Sequence, residues 1–531
     1  MMSMVLLILI PILFGVMLYL VPLRVGKVIV LLVQLFLSFL SLSLLLRNMA
    51  EGTFFEVLGG ADPILYVPLR GDRFSLIFVC LSVFLFSMAF FYAVRVEEYF
   101  NKRFLLLFLV LQGLLNGLFL TDDLFNLFVL IEVSTVVITV LVMFKREGRN
   151  AFDGLFYLTM QIVTMMFFLF GVGYVYRIFG VLNFTAINEM IVEGIPKETL
   201  IMPFSFMITG IALKIGYFPL FSWVSHAYGN PSVPFPVLAM VSGIFVKSGL
   251  FFLIRMHDIF SPVLDYSHFF VWLGLITGLA GAVKAISQKD IKLILGFHTI
   301  SQLGLITAGI FLPGNTSTIG GMYHIVNHAM FKSLLFLTAG IIAKEYKTTH
   351  VNEIRGLFQR MPWVAAATTL GLLGITGFPF VNGSVSKYWI MYGSSRPMEI
   401  ALWVLSMGTI ISFVKYAAML FRKSPVRVKT EPMKTTVVLV MGIVCVILGV
   451  FGLPIASVLF DVELSLTPQA LLQKGIVYVV MVFCATIFYR QVIAKTNFLY
   501  RVAKSPTTVQ QSCFILVAFF VSMVMYGIVL A

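Results

Sequence analysis

Glu132, Lys214, Lys247 and Lys387 each stand in a stretch that is otherwise apolar: TDDLFNLFVLIEVSTVVITVLVMF, FSFMITGIALKIGYFPLFSWV, VSGIFVKSGLFFLIR and GITGFPFVNGSVSKYWIMY. A charge at the centre of a bilayer costs roughly 3 kcal/mol on insertion scales, so such residues are seldom incidental. Several of them in one membrane chain point to ion movement. Glu132 is the only acidic residue deep inside an apolar stretch. A carboxylate about 4 Å from an ammonium is worth roughly 4 kcal/mol at an effective dielectric of about 20, so a Glu132–Lys214 pair would be a usable proton switch. Lysine suits the task because a compact ammonium gives up its proton on burial, which a guanidinium does not. Lys247 lies two turns before Arg255, and its blander reading is a side chain snorkelling to the interface. Lys387 follows Gly377-Phe378-Pro379 by two turns, in a place that mirrors Lys214 before Pro219.

Four further ionisable residues lie between these: His298 in LILGFHTISQLG, and His324, His328 and Lys332 in GGMYHIVNHAMFKSLLF. The i, i+4, i+8 spacing of the latter three places them on one helix face. Two histidines at i, i+4 can hold a metal, but no third acidic or Cys ligand is near. A hydrated proton relay is the expectation, because imidazole titrates near neutral pH. The bland alternative is a set of histidines satisfied by backbone and hydroxyl groups. Asp122 and Asp123 open a helix and are expected to cap it. Gly113 and Gly117 form a G-x-x-x-G packing step. No P-loop, dinucleotide fingerprint or H-E-x-x-H occurs in context, so neither cofactor nor metal is expected in this chain.

The elements that position these residues are transmembrane helices. The 60% hydrophobic and 11% charged content of the 531 residues excludes a soluble globular protein. Sixteen apolar spans are predicted, at about 4–22, 28–46, 73–94, 104–121, 124–144, 155–180, 200–225, 232–255, 267–286, 292–312, 318–343, 362–391, 399–421, 435–454, 474–490 and 512–530. The N-terminal MMSMVLLILIPILFG has no basic flank or cleavage site and is expected to be a retained helix. Cys80, Cys445, Cys484 and Cys513 lie in or beside spans without C-x-x-C pairing and read as small core residues. The net charge of +14 is a matter of topology. Counted with the residues near the span ends, connections after odd-numbered spans carry 23 Lys and Arg, those after even-numbered spans 8. The positive-inside rule puts the odd connections in the cytoplasm and both termini outside, in a multi-pass plasma-membrane protein that binds no nucleic acid.

Two spans are long and interrupted, at Pro219 and at Pro379. Broken helices in corresponding places are the sequence mark of inverted repeats around a transport site. Five spans separate the two breaks, and an odd offset gives the helices opposite directions. The expected organisation is therefore helices 1–3 over 1–103, a first five-helix repeat over 104–260, a second over 261–425, and helices 14–16 over 426–531.

From about Arg73 to Phe421 the chain resembles the antiporter-like subunits of respiratory complex I, membrane-bound hydrogenases and Mrp-type cation/proton antiporters. LKIGYFPLFSWVSHAY, DIKLILGFHTISQLG, HIVNHAMFKSLLFLTAG and GITGFPFVNGSVSK carry the resemblance, each in the family's order. DDLFNLFVLIE and SVSK resemble the Mrp D and archaeal hydrogenase branch most. The resemblance implies that Glu132, Lys214, Lys247 and Lys387 belong to a midplane chain of charges joining two proton half-channels. It also implies a complex with further antiporter-like and small helical subunits. The expected role is the ion-pumping module of a redox-driven complex, with a hydrogenase or other redox arm as partner. The alternative is a D-type component of a sodium/proton antiporter; a stand-alone solute carrier is a distant third. Two departures stand out. Relatives often read W-L-P-x-A-x where this chain has Trp223-Val224-Ser225-His226-Ala227, and GNPSVPFPVLAMVSG lacks the usual histidine. The link between the last two spans, which includes NFLYRVAKSPTTVQQ, is too short for a long lateral helix at 1.5 Å per residue, so those spans are expected to form an ordinary hairpin.

Overall fold

In hydrocarbon every backbone N–H and C=O must be satisfied within the chain, and helices do this locally. The computed structural model describes residues 3–59, 67–95, 101–144, 148–421, 428–464, 467–495 and 508–530. Among these, 14 helices are long and apolar enough to cross a membrane, and Leu6–Met17 and Pro362–Thr376 are shorter apolar helices. The chain is an all-α polytopic bundle.

The helices run in order α1 (Leu6–Met17), α2 (Leu23–Glu51), α3 (Arg73–Ala93), α4 (Lys102–Leu120), α5 (Leu124–Val142), α6 (Gly148–Phe179) and the short amphipathic α7 (Phe184–Gly194). Next come α8 (Lys197–Ile215), α9 (Trp223–Gly229), α10 (Phe235–Met240), α11 (Val246–Phe260), α12 (Ser267–Ser287), α13 (Ile291–Phe311) and α14 (Asn315–Tyr346). The remainder are α15 (Leu357–Arg360), α16 (Pro362–Thr376), α17 (Asn382–Met391), α18 (Arg396–Ala417), α19 (Pro432–Val450), α20 (Gly452–Phe460), α21 (Pro468–Phe488) and α22 (Val509–Leu530). Each of the sixteen apolar stretches contains helix. The link 47–72 also holds something the hydropathy pattern did not announce, an antiparallel hairpin of β1 (Phe54–Leu58) and β2 (Val67–Gly71).

Both interrupted spans end their first half in the same way. Gly216 (φ +81°) and Gly377 (φ +87°) adopt the left-handed conformation that a Cβ disfavours. The amide of Tyr217 then reaches back to the Ala212 carbonyl at 3.0 Å, and that of Phe378 to Leu373 at 2.9 Å. These are Schellman closures, which satisfy carbonyls deep in the first half and leave the last ones open to side chains. A third irregularity lies between α10 and α11, where Val241–Phe245 forms a π turn inside a fully buried helix.

α13 and α14 are the axial pair of the bundle, 94% buried over their spans. α21 and α22 are peripheral, and they correct the hairpin expectation. α21 packs on α18, with Met481 and Ala485 clustered against Ile410 and Ile411. α22 packs on α8 and α6, with the Phe520 ring 4.4 Å from Phe206 and the Tyr266 hydroxyl bonded to the Met523 carbonyl. The last two helices therefore clasp different parts of the bundle. Residues 496–507 of their link lie outside the described residues.

Candidate ion-translocation site

Glu132 is carried by α5, half-buried, with a buried Oε1 that no hydrogen bond reaches among the described residues. Thr135, one turn on, accepts from the Lys214 ammonium at 3.5 Å. That ammonium also stands 4.0 Å above the Phe245 ring, a cation–π contact with the end of the π turn. Glu132 and Lys214 interact electrostatically but not in contact: among the described residues, no ion pair within 4.0 Å contains either one. The close pair expected at about 4 Å is a longer-range one, because the Lys214 side chain turns towards Thr135 and Phe245. Its attraction at an effective dielectric of about 20 therefore lies below about 4 kcal/mol.

Lys247 does not snorkel. It is fully buried, and its ammonium donates to the Ser242 carbonyl at 2.6 Å. A π turn widens the helix by one residue and releases such a carbonyl, so the irregularity at Val241–Phe245 creates the acceptor that the lysine needs. From there a chain of polar contacts crosses to α13 and α14. The Ser242 and Thr299 hydroxyls are 2.6 Å apart, Thr299 donates to the Leu295 carbonyl at 3.1 Å, and Lys332 donates to that same carbonyl at 2.7 Å. Lys247 and Lys332 are thus joined through one serine, one threonine and one shared backbone oxygen.

The histidines divide into two kinds. His324 is tied on both sides, with Nδ1 2.8 Å from the Ser386 hydroxyl and Nε2 3.1 Å from the Gln302 amide oxygen. Asn327 donates to Ser386 at 3.0 Å and to the Asn382 carbonyl at 2.7 Å, which links α14 to α17 across the second break. His298 and His328 are fully buried, and none of their ring nitrogens has a hydrogen-bond partner among the described residues. His298 lies beside the Phe413 ring at 4.5 Å. The bland reading, histidines satisfied by backbone and hydroxyl groups, fits His324; among the described residues no such partner reaches His298 or His328.

Lys387 closes the series. Its ammonium donates to the Ile375 carbonyl at 2.6 Å, one of those left open by the closure at Gly377. The mirror relation to Lys214 is loose, since Lys387 follows its break and bonds back to it. At the first break the Trp223 indole instead takes the Leu213 carbonyl, at 2.9 Å. A cavity of about 50 Å³ beside Lys387 is also lined by Ser384, Tyr388, Lys474 and Tyr478. Lys474, from α21, stands 3.7 Å over the Tyr388 ring and donates to the Ser384 carbonyl at 3.3 Å.

Gln302, Ser386, Asn327, Ser242, Thr299 and Lys474 do not stand out in the sequence. Polar side chains in apolar helices carry no mark of which neighbour they face. The buried Lys415, which donates to the Ile286 carbonyl at 2.7 Å, shows in the sequence only as a charge within a span. Of the two aspartates expected to cap α5, only Asp123 does so, accepting the Asn126 amide at 2.7 Å. Asp122 is fully buried, accepts from Asn183 and Thr185 at 3.1 and 3.0 Å, and lies 3.8 Å from Arg70. Burial pushes its carboxyl up, and Arg70 offsets this only in part. Arg70 and Arg255 both clasp Asp72, at 2.9 and 2.6 Å. Burial alone would raise the Asp72 carboxyl, but the two guanidiniums and the Ser75 amide outweigh it and hold it below its ordinary value.

Two glycine-closed helix breaks and a line of buried lysines and histidines within a polytopic bundle define a class of membrane protein with charged groups set inside its helical core. Within that class, the chain is a member of the NADH:quinone oxidoreductase/Mrp antiporter transmembrane family, which matches residues 121–412. It is 28% identical over 323 residues to the N-type component of an NADH-quinone oxidoreductase from Desulforudis audaxviator, covering 60% of this chain and 63% of that one. It is 29% identical over 356 residues to the D-type component of a Na(+)/H(+) antiporter from Alkalihalophilus pseudofirmus, covering 65% and 71%. Its fold resembles a chain of the Mrp complex from Dietzia sp. DQ12-45-1b, with TM-score 0.79, 20% identity and coverage of 89% and 98%. It also resembles a chain of an archaeal membrane-bound sulfane sulfur reductase, with TM-score 0.78, 23% identity and coverage of 91% and 100%. The chain is an antiporter-like membrane subunit of the kind found in Mrp, complex I-like and sulfane-sulfur-reductase complexes.

Proposed function

We propose that this chain translocates protons within a multisubunit membrane complex, as the ion-pumping module of a redox-driven assembly. The observation that carries the reading is that the fully buried Lys247 and Lys332 are tied into one polar network: Lys247 bonds the Ser242 carbonyl, the Ser242 hydroxyl meets Thr299, and Thr299 and Lys332 both donate to the Leu295 carbonyl. Buried ionisable groups in a membrane are costly unless partnered, and a series of them that feel one another's charge is what a charge-coupled relay requires. Glu132 sets the charge preference of Lys214. A proton gained or lost there alters the field at Lys247, and the change passes by Lys332, His328 and His298 to His324 and Lys387. The cavity shared by Lys387 and Lys474 is the release point, on the outer side by the positive-inside count. The two helix breaks, closed alike at Gly216 and Gly377, support the division into inverted five-helix units over 104–260 and 261–425.

A second reading, a D-type component of a sodium/proton antiporter with no redox arm, is favoured by the relative of that name, of which this chain covers 71%. Mild extraction of the tagged chain from its host and identification of the co-purifying subunits separates the two. Nickel or iron–sulfur proteins support the redox pump; small membrane subunits alone support the antiporter. Proton uptake in liposomes holding that complex tests both, since E132Q and K214A with intact transport would sink either.

A further inference from the structure

One ionic contact near the first half of the relay takes no part in the mechanism above. His226 Nδ1 lies 2.7 Å from Asp153 Oδ1, and the imidazole is stacked on Phe156 with centroids 4.0 Å apart. His226 falls at the open position of the W-L-P-x-A-x pattern of its relatives, directly after Val224 and Ser225, where this sequence departs from that pattern. Asp153 sits at the start of α6 and His226 on α9, at the ends that adjoin the basic link 145–154, hence on the side expected to be cytoplasmic. The imidazole is 17% exposed and the carboxylate 8%, so the pair stands at the rim of the bundle with one face covered.

One turn inward from Asp153 on the same face of α6 is Tyr157, fully buried, with a hydroxyl that has no hydrogen-bond partner among the described residues. Tyr157 is within electrostatic reach of Glu132 and of Tyr228, itself fully buried and two residues beyond His226. Tyr157 therefore lies one helical turn from the pair at the rim and within electrostatic range of the carboxylate at the head of the relay.

We propose that His226 and Asp153 form the proton-exchange dyad at the cytoplasmic mouth of the first half-channel, handing protons by way of Tyr157 to Glu132. The proposal rests on the proton-translocating reading given above. The carboxylate only accepts, so the imidazole carries its hydrogen on Nδ1 and leaves Nε2 free to take a proton from water. The balance is simple. One proton enters at Nε2, the imidazolium is held by Asp153, one proton leaves inward to the Glu132 carboxylate through the Tyr157 hydroxyl, and the ring returns to neutral. Two charged groups of α13, which packs on α9, are engaged elsewhere. Lys292 of α13 donates to the Asn230 and Pro231 carbonyls, and Asp290 caps α13 and accepts from Thr349.

The test uses the assembled complex in liposomes, with proton-transfer rates read from a pH dye between pH 6 and 8.5. H226N keeps a donor within reach of Asp153 but has no ring nitrogen to take up a proton; D153N keeps the contact without its charge. Positioned proton-transfer groups commonly contribute 10²–10⁴-fold. H226N is therefore expected to lose at least about tenfold of the rate above neutral pH, with imidazole in the outer buffer restoring part of it. D153N is expected to lower the rate as well, because the carboxylate no longer holds the imidazolium. E132Q is measured in parallel. If E132Q is inactive while H226N runs within twofold of the wild type at every pH, the dyad is refuted and the relay stands. If E132Q is fully active, the translocation reading itself fails.

Discussion

Replacing Glu132 by Gln removes the negative charge that acts on Lys214 while keeping the shape of the side chain. At a separation beyond 4.0 Å and an effective dielectric of about 20, that charge stabilises the protonated Lys214 by less than about 4 kcal/mol. A loss of about 1.4–4 kcal/mol corresponds to a fall of about ten- to a thousandfold in an equilibrium constant. Lys214 would retain its contacts with Thr135 and Phe245, so assembly should be undisturbed. The assay is proton transfer by the purified complex in liposomes, calibrated against subunit content by gel. The expected result is a rate at least about tenfold below the wild type with all subunits present. E132D, which keeps the charge on a shorter stem, should recover a measurable part of it. A Gln variant within twofold of the wild type would show that the field of Glu132 does not govern Lys214, and the switch would have to lie elsewhere.

Other consequences follow from single contacts. Q302L leaves His324 Nε2 buried without its partner, a cost of about 1–3 kcal/mol, and should lower both the thermal midpoint of the complex and its transport rate. K474M should slow proton release by about tenfold without affecting subunit assembly, since Lys474 is half-buried at the cavity rim and its hydrogen bond is to one carbonyl. D72N leaves Arg70 and Arg255 facing a neutral amide and should cost about 3–5 kcal/mol, seen as loss of assembled complex. Because the folded Asp72 carboxyl lies below its ordinary value, its contribution is complete above about pH 4 and is lost as the pH falls through the lower folded value. A thermal-melt series should therefore show an acid-side decline below about pH 4 that is weaker in D72N.

The sequence disclosed the helices because hydrocarbon permits little else, and it disclosed the breaks because Gly216 and Gly377 each stand shortly before a Phe-Pro step inside an apolar span. It disclosed the ionisable residues because each interrupts an apolar run. What it withheld is pairwise. Nothing in VSGIFVKSG says that the helix opens into a π turn and turns the Ser242 carbonyl towards Lys247. A contact between Glu132 and Lys214 is the natural expectation, yet a threonine and a phenylalanine take the lysine's end. Gln302 and Ser386 are ordinary polar residues until α13, α14 and α17 converge on His324. The paths of α21 and α22 depend on which bundle faces remain uncovered, and hydropathy cannot rank those. The strands Phe54–Leu58 and Val67–Gly71 were hidden in a link too short to show alternation.

The most direct test of the relay falls at its middle, where Lys332 shares the Leu295 carbonyl with Thr299 and is fully buried. Proton translocation by the assembled complex carrying K332M should be measured in liposomes together with the partner reaction, redox turnover or sodium exchange. The account predicts proton transfer abolished to the level of protein-free liposomes while the complex stays intact. Translocation at the wild-type rate would mean that protons do not pass along this line of residues.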